Sequence, residues 1–169
     1  MIINIVIQII GLIGTGFYFL SYQYKDTKTL FKIQFISYAL YTIHFLLLGA
    51  VTGAACYAID VLKCYFLFSD NKKFHEKKFC ILICILQLLV GVVTWNGYIS
   101  LLPMIANVAL TIGNYTYDEN KIRYTGLLIN SPLWLIHNVL VGSLAGVIDE
   151  IITMLSIVLS LIRFKRKQY

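Results

Sequence analysis

The residues of this chain that could best do chemistry are ionisable side chains placed inside long apolar stretches. They are two histidines and three carboxylates: His44, His137, Asp60, Asp149 and Glu150. An ionisable residue in a transmembrane helix costs roughly 3 kcal/mol or more unless it faces a polar interior, so such residues commonly mark ion or proton pathways. We therefore take His44, His137 and Glu150 as candidates for proton coupling. A neutral histidine can instead hold two helices together, and Asp149 is expected near the outer surface, where water can hydrate it.

A second set of polar and aromatic side chains falls near the middle of the same stretches. With a rise of about 1.5 Å per residue, the residues predicted near mid-bilayer are Tyr41, Asp60, Asn107, Trp134 and Thr153. The two histidines and Glu150 fall one turn further out. We interpret Tyr41 and Trp134 as apolar walls for a ring-shaped solute. The remaining midplane residues, together with Asn138, are the predicted hydrogen-bonding groups of a substrate site.

Composition assigns the class of protein. Of the 169 residues, 59% are hydrophobic and 13% are charged, whereas soluble domains have about a quarter charged residues. The chain is therefore predicted to be a polytopic membrane protein. It has 14 Lys and Arg against 8 Asp and Glu, a net charge of +6. The basic residues lie in connecting segments, so nucleic acid is not a predicted partner.

Enzyme and metal chemistry find little support in the sequence. The chain contains no nucleophile–base pair and no HExxH motif, and two histidines with one glutamate are weak evidence for a metal site. Cys80 and Cys84 are one helical turn apart, but apolar filler is a better interpretation of them than a metal pair. We therefore predict neither a catalytic role nor a metal or other cofactor.

The apolar stretches predict seven transmembrane helices. A helix needs about 20 apolar residues to cross roughly 30 Å of hydrocarbon. The predicted spans are 2–22, 30–49, 51–69, 79–94, 98–115, 124–142 and 143–163. The tight joins at Gly49-Ala50, Trp95-Asn96-Gly97 and Gly142-Ser143 are almost uncharged. No basic residue precedes the first span, so it does not resemble a cleaved signal peptide.

The basic residues predict the orientation of these spans. Thirteen of the 14 fall in alternate connections or in the tail: Lys25, Lys28, Lys32, Lys72, Lys73, Lys77, Lys78, Lys121, Arg123, Arg163, Lys165, Arg166 and Lys167. Lys63 lies close enough to the same side for its side chain to snorkel there. The positive-inside rule then places the N-terminus outside and the C-terminus in the cytoplasm.

The chain also contains an internal repeat. A shift of 93 residues aligns it with itself without a gap and gives nine identities over residues 31–68. His44 then falls on His137, Gly49 on Gly142 and Gly53 on Gly146. The span 79–94 has no partner, which makes a 3+1+3 arrangement with two parallel units. Internal repeats of this kind are typical of secondary transporters, whose substrate site lies between the repeats near mid-bilayer.

Polar and small residues recur every three or four positions in the six repeated spans, as expected for one polar face on each helix. Such faces also pack helices together. The unpaired span carries Gln87 alone. The chain's two prolines, Pro103 and Pro132, fall in the fifth and sixth spans. Each removes a backbone hydrogen bond and permits a kink, so we interpret them as hinge candidates.

Several motifs resemble a known family. Residues Trp134 to Glu150 read W-x-I-H-N-x-x-x-G-S-x-x-G-x-x-x-E, Ser160 to Arg163 read S-L-I-R, and His44 to Gly49 read H-F-x-L-L-G. These motifs resemble the YgjV family of bacterial inner-membrane proteins over most of the chain. The resemblance implies a multi-pass protein of the bacterial inner membrane. In that family an Asn with a basic residue three positions later follows the glycine. Here Asp60 and Lys63 stand in that place, so the role of an amide does not carry over.

The 3+1+3 plan also resembles the wider group of SWEET-like (PQ-loop) transporters, in which four prolines hinge the helices. Pro103 and Pro132 could play that part here, whereas Ile10 and Ala39 occupy the equivalent positions of the first repeat. The resemblance supports the transporter class and names no substrate.

The sequence therefore predicts an all-α membrane protein with two three-helix repeats at 1–69 and 98–169, joined by a loop and linker helix at 70–97. The best interpretation is a small transporter that moves a small polar solute by alternating access. A non-transporting accessory or scaffold protein is the alternative, and an intramembrane enzyme is third. The predicted partners are the lipid bilayer and the solute, and a homo-oligomer stays open.

Overall fold

The computed structural model describes residues 2–49, 51–95, 97–140 and 144–165. Within these ranges the protein is all-helical, with seven long helices and no strand. The helices are α1 (Ile2–Ser21), α2 (Thr27–Leu47), α3 (Val51–Phe68), α4 (Lys77–Val93), α5 (Leu101–Asn114), α6 (Glu119–Thr125, Gly126–Asn130 and Ser131–Leu140 in succession) and α7 (Leu144–Lys165). Short 3-10 turns at Lys72–His75 and Tyr98–Ser100 precede α4 and α5. Several predicted join and tail residues lie outside the described ranges: Ala50, Asn96, Gly142, Ser143, Arg166 and Lys167.

Each predicted span corresponds to one helix, but α2 begins three residues early because Asp26 caps it. The Asp26 carboxylate accepts hydrogen bonds from the Thr29 hydroxyl at 2.6 Å and from the Thr29 backbone N–H at 2.8 Å. These bonds lower the pKa of Asp26. An N-cap of this kind satisfies a backbone donor that has no partner within the helix. The cap therefore adds a turn that hydropathy alone did not predict.

The sixth helix begins five residues early for the same reason. The Asp118 carboxylate accepts from the backbone N–H groups of Asn120 at 2.9 Å and Lys121 at 3.0 Å. Hydrogen bonding from Lys121 and Asn120 lowers the pKa of Asp118. The first turns of α6 therefore carry the basic residues that the sequence had placed in a connecting loop.

The middle of α6 is a π-helical turn, Gly126–Asn130, and Pro132 follows it in the next α-helical turn. A widened turn of this type rearranges the local hydrogen-bond ladder, and proline adds to this because it has no N–H to donate. Pro103 lies in the first turn of α5, where proline is tolerated. The hinge role of both prolines stays a prediction.

The interior of the bundle contains many polar and charged residues beside its hydrophobic ones, and its surface carries many large apolar side chains. Lys63, Arg123 and Asn114 are 0% exposed, whereas Leu12 and Val51 are each 70% exposed. Soluble proteins show the opposite distribution for charged residues. By length and composition, Thr27–Leu47 is the one described helix that could cross a membrane, and Ile5–Ser21 and Tyr98–Asn114 are apolar but shorter. The seven-span topology and its orientation therefore stay predictions.

The helices pack as a closed ring. In the first half, α1 packs on α2 and α2 packs on α3. In the second half, α5 packs on α6 and α6 packs on α7. Helix α4 lies between α3 and α5, and α7 returns to contact α1. The two halves therefore meet through α4 and at the α1–α7 contact, and further side-chain bonds join α2 to α7 and α6 to the end of α1.

Candidate functional site

Six helices surround a small cavity at the centre of the ring. Its lining residues lie on α1, α2, α3, α5, α6 and α7, and its volume is about 30 Å³. A water molecule needs roughly 10–15 Å³ of such volume. The cavity therefore has room for about two waters in this conformation, and an organic solute needs it to widen.

The cavity brings together five of the predicted site residues. Tyr41, Asp60, Asn107, Trp134 and Glu150 all line it, from five different helices. The other predicted members, His44, His137, Asn138 and Thr153, are not among its lining residues. Sequence periodicity thus identified more than half of the proposed substrate-binding set as neighbours in space.

Asp149 lies at the centre of a hydrogen-bond network that the sequence did not predict. Its carboxylate accepts from the Thr15 hydroxyl at 2.7 Å and from the Tyr41 hydroxyl at 2.9 Å. The Thr15 and Tyr41 hydroxyls are also 2.8 Å apart. The expectation that Asp149 is simply hydrated is wrong, because these bonds hold it against α1 and α2, whereas its place near the outer surface stays a prediction. Asp149 lines the cavity together with Glu150.

Aromatic rings form much of the cavity wall. The ring of Tyr41 stacks on Tyr57 with centroids 4.9 Å apart, and Tyr57 in turn stacks on Phe45 at 5.2 Å. The hydroxyl of Tyr38 donates to that of Tyr18 at 3.2 Å. Such stacked and edge-on pairs favour a fixed arrangement of rings. The rings of α1, α2 and α3 are therefore held in place before any ligand enters.

Asp60 is part of a polar chain that crosses three helices. Its carboxylate accepts from the Lys63 ammonium at 2.6 Å and from the Gln87 amide at 3.1 Å. The Thr111 hydroxyl donates to the Gln87 amide oxygen at 2.9 Å. Lys63 is fully buried, so the expectation that its side chain snorkels to the cytoplasmic side is wrong. Gln87, the isolated polar residue of the linker helix, connects the two halves of the ring.

Trp134 and His137 lie side by side on α6. The Trp134 indole N–H donates to the Asn107 side-chain oxygen at 3.1 Å. The His137 ring meets the Trp134 ring edge-on, with centroids 5.4 Å apart. His137 therefore contacts Trp134, which lines the cavity, and can set the position of its indole.

His44 joins α1 to α2 away from the cavity. Its Nδ1 lies 2.8 Å from the Ile7 carbonyl oxygen, a distance that fits an Nδ1–H donating to that oxygen. A Cβ at Gly11 would lie 3.0 Å from the His44 ring, so glycine allows the ring to approach. These contacts give His44 a role in helix packing.

Two pairs of contacts recur at equivalent places in the two halves. A Cβ at Gly14 would lie 3.3 Å from the Tyr41 ring, and 93 residues later Asn107 bonds Trp134. A Cβ at Gly53 would lie 2.6 Å from the Phe45 ring, and a Cβ at Gly146 would lie 2.5 Å from Asn138.

Arg123 is a buried clamp at one end of the bundle. Its guanidinium donates to the carbonyl oxygens of Tyr22 at 3.1 Å and Tyr24 at 2.6 Å, and to the Ser160 hydroxyl at 3.0 Å. It also stacks on the Phe164 ring, 4.7 Å from the centroid. From the sequence, Arg123 was predicted to lie in a cytoplasmic loop. Because it caps the end of α1 and binds α7, it holds the two halves together.

Residues 5–168 match the Imp-YgjV family, described as a bacterial inner membrane protein. The chain belongs to this family. No curated protein and no solved structure matches the chain. Membership in the Imp-YgjV family assigns the chain to the bacterial inner membrane, in agreement with the resemblance found in its motifs.

The chemistry open to this Imp-YgjV cavity is binding by carboxylates, hydroxyls, amides and aromatic faces. No group of three or more His, Cys, Asp or Glu residues that could hold a metal occurs within the described ranges. The carboxyls of Asp149 and Glu150 and the Asp60–Lys63 pair are the charged groups at the cavity. Helical spacing was a sufficient signal for Glu150, whereas the partners of Asp149 lie more than 100 residues away.

Proposed function

We propose that the protein is a small inner-membrane transporter that moves a small polar solute by alternating access. In this proposal all seven helices cross the membrane, with the N-terminus outside. Helices α1–α3 and α5–α7 form two parallel units, and α4 links them. The observation that carries the proposal is the cavity between the two units, which is lined by carboxyls and aromatic rings from both and by amides from the second. Carboxyls and amides within transmembrane helices usually serve a solute or ion pathway.

The matched contacts support the repeat. Tyr41 with Gly14 corresponds to Trp134 with Asn107, and Phe45 with Gly53 corresponds to Asn138 with Gly146. Each pair joins equivalent helices of its unit at the same offset of 93 residues. Chance identities between apolar sequences would give no matching contacts. Two units of like structure around one cavity could exchange their tilts to open either side.

The small volume of the cavity fits an occluded state. A solute enters when one unit tilts away from the other and is released on the opposite side when the tilt reverses. Such a movement has to rearrange the contacts between the halves, among them the Gln87 bridge, the bonds of Asp149, the Arg123 clamp and the bonds between Gln23 and Ser156. Proton coupling would use Glu150 and Asp149 at the cavity, with His137 acting through Trp134.

The alternative is an accessory or scaffold protein whose polar interior only locks the helices together. The Arg123 clamp favours this alternative, because it binds both halves with several hydrogen bonds at once. A permanent clamp would prevent rocking. The two functions therefore differ in whether the cavity ever opens.

Accessibility of Cys56 separates the two functions without knowledge of the solute. Cys56 lines the cavity, whereas Cys64 is fully buried in the core. If the cavity opens to both sides, a variant that retains only Cys56 should react with a membrane-impermeant maleimide added to right-side-out vesicles. It should also react when the same reagent is added to inverted vesicles. A matched variant that retains only Cys64 should stay unlabelled. No labelling of Cys56 from either side would support the scaffold.

A further inference from the structure

We propose that the cavity takes a small organic cation, an ammonium or quaternary ammonium compound, and that protons compete with it for Asp149 and Glu150. This inference rests on the proposed transport function and adds the class of substrate. It follows from the charge of the cavity, the nature of its wall and one polar group without a partner.

The first step is the charge of the cavity. Of its three acidic lining residues, Asp60 is paired with the Lys63 ammonium at 2.6 Å. Asp149 and Glu150 have no ion pair within the described part of the chain. The bonds that Asp149 accepts come from hydroxyl groups, which orient a carboxylate but do not neutralise it. Two carboxyls of the cavity are therefore left without a paired cation among the described residues.

Two adjacent carboxylates away from bulk water are costly, by several kcal/mol per uncompensated charge. They can be neutralised in two ways, by protons or by a bound cation. A cation that enters the cavity therefore displaces protons from these carboxyls, and protons displace it in return. Alternating access would then exchange the cation on one side of the membrane for protons on the other.

The second step is the wall of the cavity. Five of its twelve lining residues are aromatic: Tyr18, Tyr38, Tyr41, Tyr57 and Trp134. The faces of such rings attract alkylammonium groups within about 6 Å and are the usual means of recognising quaternary ammonium. The protein already uses one of these rings in this way, because the Lys63 ammonium lies 5.5 Å from the centroid of Tyr38. A bare metal ion would prefer a shell of oxygen atoms, so the wall favours an organic cation.

The third step is Asn130, on the π-helical turn of α6. It is 6% exposed and lines the cavity, and its side-chain nitrogen has no hydrogen-bond partner among the described residues. A buried donor without a partner costs about 1–3 kcal/mol. A solute that carries an oxygen beside its positive charge would accept this bond. A hydroxylated or carbonyl-bearing ammonium compound therefore fits the cavity better than a simple alkylammonium ion.

The titratable groups that face the two carboxyls are few. Tyr22, directly after α1, faces Glu150, Tyr41 from α2 faces Asp149, and Tyr57 from α3 faces both. Asp60 lies across the cavity with its Lys63 partner. The described lining residues of α5 and α6 are Asn107, Leu110, Asn130 and Trp134, which do not titrate. Proton exchange at the cavity near neutral pH is therefore assigned to the carboxyls.

The experiment measures binding and proton release together. The variant Trp95→Phe leaves Trp134 as the chain's one tryptophan, so its emission reports on the cavity. Purified protein is titrated with choline in weakly buffered solution, and in parallel with the neutral isostere 3,3-dimethylbutan-1-ol, with NaCl and with KCl. We expect choline to change Trp134 emission to saturation and to acidify the solution. Its apparent Kd should rise about tenfold per pH unit for each proton displaced as the pH falls.

Matched variants assign the effect. In Glu150→Gln and Asp149→Asn the proton release should fall, and choline binding should weaken at least tenfold. The control Glu76→Gln, in the exposed segment before α4, should behave as the parent. If the cavity variants do not fold, the comparison of choline with its neutral isostere on the Trp95→Phe protein decides alone.

Three results would overturn the inference: no saturable response to choline at any pH, an equal response to the neutral isostere, or proton release by NaCl and KCl in place of choline. The labelling of Cys56 keeps these results separate from the transport proposal. If the cavity opens to both sides but does not bind choline, the proposal of a cationic substrate is refuted and the transport proposal is not. Choline binding to a cavity that never opens refutes the transport on which the exchange depends.

Discussion

The hydroxyl of Tyr41 lies 2.9 Å from the carboxylate of Asp149, although 108 residues separate them in sequence. This bond joins α2 of the first unit to α7 of the second. Thr15 completes the triangle from α1, with 2.7 Å to Asp149. Any movement of one unit relative to the other must therefore break or reshape this triangle of hydrogen bonds. Variants of its three residues test the coupling between the units directly.

Removal of the Tyr41 hydroxyl should destabilise the fold and remove the interaction between Tyr41 and Asp149. We expect Tyr41→Phe to lower the free energy of unfolding by about 1.5 kcal/mol, because a carboxyl loses one of its donors. Thermal unfolding in detergent would measure the change. In a double-mutant cycle with Asp149→Asn, the two effects should be non-additive. The control Tyr24→Phe, at a residue 46% exposed, should change little, and additive effects in the cycle would mean that the bond carries no energy.

Substitution of the matched glycines Gly53 and Gly146 should change stability by similar amounts if the two halves pack in the same way. A Cβ at Gly53 or Gly146 would approach a neighbouring side chain to 2.6 or 2.5 Å, whereas nothing lies within 4 Å at Gly16. We expect Gly53→Ala and Gly146→Ala each to destabilise the protein by about 1–3 kcal/mol through overpacking. Gly16→Ala should be neutral or stabilising, since alanine favours helix. Thermal unfolding of the three variants is the measurement, and tolerance at one matched site alone would argue against equivalent packing.

Arg123 should be one of the least replaceable residues of the chain. Arg123→Ala leaves the carbonyls of Tyr22 and Tyr24 without their donor, so we expect a loss of about 3 kcal/mol or more. Arg123→Lys should restore only part of it, because an ammonium cannot reproduce the planar fork. Arg163→Ala, at an exposed residue of the same end, is the matched control. Equal melting temperatures for Arg123→Ala and Arg163→Ala would show that the contacts of Arg123 do not stabilise the fold.

The orientation of the chain can be read by labelling single cysteines in a cysteine-free background. A cysteine in place of His75 should react only from the cytoplasmic side, and one in place of Tyr98 only from outside. Both residues are exposed, Tyr98 by 86%. The reason is the clustering of lysines around position 75, which the positive-inside rule keeps in the cytoplasm. Labelling of position 75 from outside would overturn the topology and the parallel repeat with it.

The cap of α2 predicts a dependence on pH. The pKa of Asp26 is lowered in the folded protein by its bonds to Thr29. A carboxyl with a lowered pKa contributes stability above its unfolded value of about 4, and this contribution is lost as the pH falls through the folded value. Asp26→Ala should therefore cost about 1 kcal/mol at pH 7 and less at pH 3. Unfolding curves at both pH values test this, and a constant difference would show that the charge of the cap is unimportant.

Local sequence information predicted the helices and much of the cavity. The length of each apolar stretch fixed the seven helices, and the spacing of three or four residues identified Tyr41, Asn107, Trp134 and Glu150 as members of one interior. Both follow from forces that act along a single helix. The early starts of α2 and α6 could also have been read from Asp26 and Asp118, since an aspartate before a helix is a common cap.

The contacts between distant helices could not be predicted in the same way. Helical periodicity tells which face is polar but not which partner it meets, so Asp149 was expected in water and Lys63 at the membrane surface. Arg123 was counted among loop charges because hydropathy ends a span at the first strong charge. In the fold, the Glu119 carboxylate at 3.8 Å, backbone carbonyls at the end of α1 and the Ser160 hydroxyl compensate that charge.

The contact of α7 with α1 also sets an order of assembly. Because synthesis runs from the N-terminus, Tyr41 and Arg123 are made before their partners Asp149, Ser160 and Phe164. Until the seventh helix is made, the Arg123 guanidinium therefore lacks its contacts with Ser160 and Phe164. The contact that closes the ring, between α7 and α1, can therefore form only after the rest of the chain has been made.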